Sequence, residues 1–420
     1  MFSNLSRNSF WLLLARFGTQ LGTAFFTILL ARRLGSIAFG EYAFIAAVAV
    51  IGNVVTTFGT DMLLIRRIAS TDQLSQLPAA LFIQLALSAV FVTVIAEISP
   101  MLQTLDTQAI GALRLYSLSM FPLAFYTIFT TALRGRQRMG SYAILNVSLI
   151  VLQIIAVAWF SWMGRSLIDL FGLLLLIQGI AAVLAAIFCS LQFADVWQSW
   201  RFTMHEAWSL ARTSAPIAML GLLGIFYQRV SVLILPMLAG AAITGWFSAG
   251  ARLIEAAKIG HIAVFTALYP LMAQVGPSNK PNWASTFRLP WLLLLGGALL
   301  ASFALYLLAA PLVALLFGLA YLPSISVVQI LAWVLVPYTV NAFLSLAFLA
   351  REDESSIAVA LTAGILALVI LTIWWEPLIG PRGAAWAAVC AELTQSAILV
   401  ARDFRTGQLL QSMLKTGPAL

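Results

Sequence analysis

The chain has 420 residues, of which 62% are hydrophobic and only 9% charged, and its mean hydropathy is +0.99. A water-soluble domain of this size carries roughly a quarter charged residues to keep its surface wetted, so a soluble enzyme or soluble binding module is excluded. The formal charge of +8 does not point to nucleic acid, because no dense basic block interleaved with aromatics occupies a polar domain; it reads as loop charge that orients a membrane protein.

In lipid every backbone amide must be satisfied within its own segment, so runs of about 18 or more apolar residues are read as spanning α-helices. The expected fold is all-α and polytopic, with about twelve transmembrane helices in two six-helix bundles around a central cavity. The first six spans fall at about 9–31, 42–63, 77–98, 112–133, 141–163 and 167–190, and the last six at about 212–236, 243–269, 289–310, 325–350, 356–375 and 383–401. The connections are short, such as ARRLGSIAFGE, RGRQRMG, REDESS and EPLIGPRG. The two bundles are expected at 1–205 and 206–420.

With the N-terminus in the cytoplasm, the inner side carries Arg7, Arg66, Arg67, the triplet Arg134, Arg136 and Arg138, Arg201, Arg212, Lys280, Arg288, Arg351, Arg402, Arg405 and Lys415. The outer side carries only Arg32, Arg33, Arg114, Arg165 and Arg382. The positive-inside rule then places both termini in the cytoplasm, with the first segment retained as a helix. An internal repeat shows in the residues: Gly35 and Gly40-Glu41-Tyr42 follow the first span as Gly240 and Gly245-Trp246-Phe247 follow the seventh. Two bundles of like orientation with a site between them are a recurrent transporter plan.

Ionisable groups inside spans are costly and mark candidate sites. In the first span Ser9, Arg16, Gln20, Thr23 and Thr27 share one helical stripe: a cavity wall with Arg16 offered to a phosphate, or a polar packing face. The seventh span holds Gln228 and Arg229, the eighth Arg252, Glu255 and Lys258 at spacings of three, and the twelfth Glu392 with Gln395 and Ser396. Arg229 and Glu392 form an ion pair with each other, or else serve substrate or coupling. Asp61 is expected at the inner end of the second span in a solvated or capping role. His261 gives a weak hint of proton handling. Pro122, Pro216, Pro236 and Pro337 are expected to kink helices. Cys189 and Cys390 lie in apolar runs without metal-ligand spacing, and neither a Walker loop nor a GxSxG elbow occurs, so no cofactor, metal or catalytic role is expected.

The stretch NSFWLLLARFGTQLGTAFFTILLARRLGSIAFGEYAF from Asn8 to Phe44 resembles the N-terminal signature of the oligosaccharide (Wzx-type, O-antigen) flippases. These belong to the superfamily that also holds multidrug extruders. Phe58-Gly59-Thr60 with Arg66, and Gly245-Trp246-Phe247-Ser248-Ala249 with Arg252 and Leu253, are similar to further segments of that family; Trp246 and Phe247 depart from its usual residues. The resemblance implies a non-enzymatic transporter of the bacterial inner membrane. It would flip an undecaprenyl-pyrophosphate-linked oligosaccharide for surface polysaccharide synthesis by alternating access. Its implied partners are that lipid-linked anionic oligosaccharide, membrane lipid, a polysaccharide polymerase and a chain-length regulator. Arg16, Arg229, Arg252 and Lys258 outnumbering Glu255 and Glu392 has the sign such a substrate needs. The alternatives are a cation-coupled multidrug extruder of the same superfamily, or a membrane glycosyltransferase or polymerase of the same pathway.

Overall fold

The computed structural model describes residues 2–406 apart from 103, 164–165, 194–195, 198–199, 201, 276–279 and 352; side chains are described from residue 11, apart also from 13, 161–163, 261–263, 266–267, 269–270, 273–275, 280–285 and 406. Ser9, His261, Arg7, Arg165, Arg201, Lys280 and Lys415 therefore lie outside the described side chains. Among the described residues the regular structure is helical, with no strand. Among the described residues ten helices are long and apolar enough to cross a membrane. Two of these, α1 (Phe2–Thr57) and α8 (Met204–Val275), are each two helices joined at a single glycine, which accounts for the twelve expected spans.

The expected loop after the first span is absent. Helical geometry runs up to residue 34 and resumes at 36, and only Gly35 departs from it, with φ 74 and ψ 176. Gly240 breaks α8 in the same way, with φ 83 and ψ 174. This backbone region is essentially closed to residues with a Cβ, so one glycine redirects the helix where a loop would otherwise be needed. The kinks expected at Pro216 and Pro236 are not what breaks α8; both sit inside it at helical positions. The matched breaks put a structural feature behind the repeat read from the sequence.

A second correction concerns the second span, which ends at Thr57 and not near 63. Phe58 and Gly59 both take positive φ, 49 and 66, and start the short helix α2 (Thr60–Thr71). Asp61 falls in the first turn of α2, where a carboxylate complements the helix dipole.

The remaining helices are α3 (Leu77–Ile98), α4 (Thr107–Ser117), α5 (Met120–Gly135), α6 (Met139–Met163), α7 (Leu167–Gln192), α9 (Lys280–Leu316), α10 (Ser324–Leu331), α11 (Leu335–Leu349), α12 (Glu354–Ile379) and α13 (Pro381–Thr406). Two compact units result, Met1–Ile225 and Phe226–Leu420. In the first, α1 packs on α6, α3 and α4, while α5 packs on α7, α2 and α3. Small residues let these helices approach: a Cβ on Gly22 would stand 2.7 Å from Ile150, and one on Gly135 would stand 2.6 Å from Ile68. In the second unit α13 packs along α12, α11 and α10, and α9 packs on α10 and α11. Large apolar side chains such as Leu21, Leu176, Leu300 and Trp374 point outward, as a lipid-facing surface requires.

Candidate functional site: a charged cluster in the second unit

The second unit gathers a cluster of charged side chains on α8 and α13. The second half of α8 carries Arg252, Glu255 and Lys258 on successive turns, and its first half brings Arg229 to the same carboxylate. Arg229 Nη1 donates to Glu255 Oε1 at 2.9 Å, and Arg252 Nη1 donates to Glu255 Oε2 at 2.7 Å. One carboxylate thus holds two guanidinium groups. The Glu255 side chain is 37% exposed, so the fork is open on one side, whereas Glu392 is only 5% exposed.

Glu392 is anchored on α13 by neutral groups. Asn341 Nδ2, from α11, donates to its Oε2 at 2.7 Å and to its backbone carbonyl at 3.0 Å. The Ser396 hydroxyl donates to Asn341 Oδ1 at 2.7 Å and so fixes the amide's orientation. The Tyr227 hydroxyl also reaches the Glu392 carboxylate. Lys258 Nζ stands 4.0 Å from Glu392 Oε1 and 4.0 Å from the centre of the Tyr338 ring, which gives the ammonium a cation–π face as well as an ion pair. The expected Arg229–Glu392 pair is therefore replaced by two others, Arg229–Glu255 and Lys258–Glu392.

Among the described residues three cations share two carboxylates in this cluster, a formal surplus of one positive charge. The Nε–H of Arg229 is buried and has no hydrogen-bond partner, so this guanidinium is only partly satisfied by Glu255. On α12, Gly364 permits this packing: a Cβ there would meet Gln395 of α13 at 2.6 Å.

Gln228, next to Arg229, is exposed. Arg16, Gln20 and Thr23 lie on α1 in the first unit, with Arg16 and Thr23 exposed and Gln20 half-buried. One turn on, Thr27 is buried and its hydroxyl donates to the Thr23 carbonyl at 2.7 Å, so the stripe passes from surface to interior along the helix. Trp246 is committed to structure, its indole N–H donating to the Ala320 carbonyl at 3.1 Å. Sequence reasoning missed Asn341, Tyr338 and Tyr227. The one available signal was an asparagine inside the apolar run LVPYTVNAFLSLAFL of α11.

Helix number and apolarity define a polytopic all-α membrane protein. Its fold is that of the MOP-superfamily transporters. A multidrug resistance MATE family transporter of that superfamily in an inward-facing conformation matches with a TM-score of 0.75 at 15% identity, over 95% of this chain and 96% of that one. The lipid II flippase MurJ in an inward closed conformation matches with a TM-score of 0.77 at 13% identity, over 96% and 89%. A MOP superfamily transporter from Pyrococcus furiosus, described as having a binding pocket of reversed polarity, matches with a TM-score of 0.66 at 15% identity, over 98% and 96%. No curated protein matches in sequence. The family model for polysaccharide biosynthesis proteins matches residues 5–275, and the chain belongs to that family.

Proposed function

We propose that this protein flips an undecaprenyl-pyrophosphate-linked oligosaccharide from the cytoplasmic to the outer leaflet of the bacterial inner membrane, with both termini cytoplasmic, in support of surface polysaccharide synthesis. The observation that carries the reading is the charge balance of the cluster in the second unit, where, among the described residues, the three cations Arg229, Arg252 and Lys258 pair with the two carboxylates Glu255 and Glu392. A pyrophosphate is a bidentate acceptor with more than one negative charge, and a fork of two arginines on one carboxylate can exchange that carboxylate for phosphate oxygens. Membership of a polysaccharide biosynthesis family supports a lipid-linked sugar as the substrate class. Arg16, on the exposed face of α1, is a second phosphate contact in this reading, and Gln20, Thr23 and Gln228 are partners for sugar hydroxyls.

Glu392 is the coupling candidate. It is a buried carboxylate whose counter-ion stands at 4.0 Å, so protonation, or displacement of Lys258 by substrate, would change the charge of the cluster. The polymerase and chain-length regulator are proposed as downstream partners, and the role is transport without catalysis.

The test is genetic. Arg16→Ala and Arg252→Ala are each expected to abolish surface polysaccharide while membrane levels of the protein stay at wild type. Wild-type polysaccharide in both variants removes the assignment.

A further inference from the structure

One end of the first unit carries a second basic surface that the transport reading does not use. It is formed by α2, the turn 135–138 between α5 and α6, the segment after α7, and the start of α8. All of them are held on one core that includes Ile68, Leu133, Phe193, Val196 and Leu210.

Two left-handed residues shape this end, Asp72 with φ 56 and Gln137 with φ 59. At the end of α5, Arg138 N–H donates to the Leu133 carbonyl at 2.8 Å and Gln137 N–H to the Arg134 carbonyl at 3.1 Å, a Schellman closure that normally calls for glycine at the position of Gln137. Arg136 then ties the two turns together. Its Nε donates to Asp72 Oδ1 at 2.8 Å, its Nη2 donates to the Asp72 carbonyl at 3.0 Å, and its guanidinium lies 4.7 Å over the Phe193 ring.

That bridge uses up Asp72. Among the described residues no carboxylate bridges Arg134, Arg138 or Arg212; Arg138 and Arg212 are exposed, and Arg134 lies over the Tyr142 ring at 5.3 Å. Beside them stand exposed aromatics. Trp197 is 54% exposed, lies tilted against Trp200 with ring centroids 5.3 Å apart and is oriented by its indole N–H donating to the Ser190 hydroxyl at 3.0 Å. Trp208 is 73% exposed and shares an outward face of α8 with His205 and Arg212, opposite the buried Ala207, Leu210 and Ser214. Tryptophans with one polar edge belong at the headgroup level of a bilayer, and exposed arginines beside them match an anionic headgroup in charge and in donor geometry.

We infer that this end of the first unit is a docking site for the headgroup of an anionic phospholipid, with Arg134, Arg138 and Arg212 as phosphate contacts and Trp197 and Trp208 as interfacial anchors. The site is independent of the charged cluster in the second unit. Each basic residue near an anionic lipid surface contributes on the order of 1 kcal/mol, which is about fivefold in affinity, so the triple variant R134Q/R138Q/R212Q loses on the order of a hundredfold.

The experiment is native mass spectrometry and thermal unfolding of the purified full chain in neutral detergent, with added phosphatidylglycerol, phosphatidylcholine or inorganic phosphate. Phosphatidylglycerol is expected to give bound adducts and a higher unfolding temperature, phosphatidylcholine and phosphate are not, and raised salt is expected to weaken the effect. The variant R33Q, at an exposed arginine outside this surface, is expected to keep the response, and the triple variant to lose it. Where the triple variant does not fold, R138Q alone is read for a fivefold loss of adduct. Equal binding of both lipids, a phosphate response equal to that of the lipid, or wild-type adducts in R138Q and the triple variant each overturn the inference.

Discussion

Replacing Gly35 by alanine isolates the backbone term at the break in α1. The site offers space, since a Cβ built there meets no atom within 4 Å, so the penalty is conformational alone. At φ 74 and ψ 176 a residue with a Cβ pays about 1–3 kcal/mol. Taking about 2 kcal/mol, and a shift of roughly 2–4 °C per kcal/mol for a cooperative unit of this size, the unfolding temperature falls by roughly 4–8 °C. Gly224 is the matched control in the same unit: it is helical with equally open surroundings, so alanine there is expected to stabilise by about 0.5–1 kcal/mol. A thiol-reactive dye read during heating suits the measurement, because Cys189 is buried in the first unit and reacts when that unit opens. A Gly35→Ala protein as stable as wild type, or one that moves in the same direction as Gly224→Ala, refutes the claim that a single left-handed residue sets the helix break.

Other perturbations reach different parts of the molecule. Glu255→Gln leaves Arg229 and Arg252 facing each other without their shared carboxylate, and is expected to lower thermal stability by about 1–3 kcal/mol while leaving binding of the pyrophosphate-linked lipid at the cluster intact or stronger; unchanged stability speaks against the fork. Asp353 caps α12, accepting from the Ser356 hydroxyl at 2.6 Å and the Ser356 N–H at 3.1 Å, and the Ser356 hydroxyl foremost holds its carboxyl below the usual value. Its contribution is therefore present above the ordinary aspartate pKa and is lost as pH falls through the lowered folded value, so Asp353→Asn is expected to flatten the acid limb of a stability–pH curve; an unchanged acid limb contradicts this. Asn341→Leu removes the donor that holds Glu392 and is expected to impair transport more than folding, as seen by comparing polysaccharide output with membrane protein level. Equal losses in both would mark Asn341 as a packing residue only.

Hydropathy made the number of spans legible, because lipid leaves the backbone no option but helix. It could not show how spans are joined. The apolar run continues through Phe58 and Gly59, so the turn before α2 is invisible to composition and depends on two positive-φ residues. The repeat was readable at Gly35 and Gly240, since glycine there has no side-chain alternative. Which charges would meet was not readable. Arg229 and Glu392 are both mid-span, and their partners are decided by the break at Gly240, which folds α8 so that Glu255 and Arg229 share an ion pair. The neutral scaffold of Glu392, from Asn341, Ser396 and Tyr227, comes from three helices far apart in the chain and carries no spacing signal.

The most direct test reconstitutes the purified protein in liposomes with a fluorescent undecaprenyl-pyrophosphate-linked oligosaccharide and follows its access to a membrane-impermeant quencher. The account predicts rapid quenching of both leaflets with the wild type, and quenching of the outer leaflet only with Arg252→Gln or Arg229→Gln. Equal translocation by wild type and both variants, or none by the wild type under an imposed proton or sodium gradient of either sign, contradicts it.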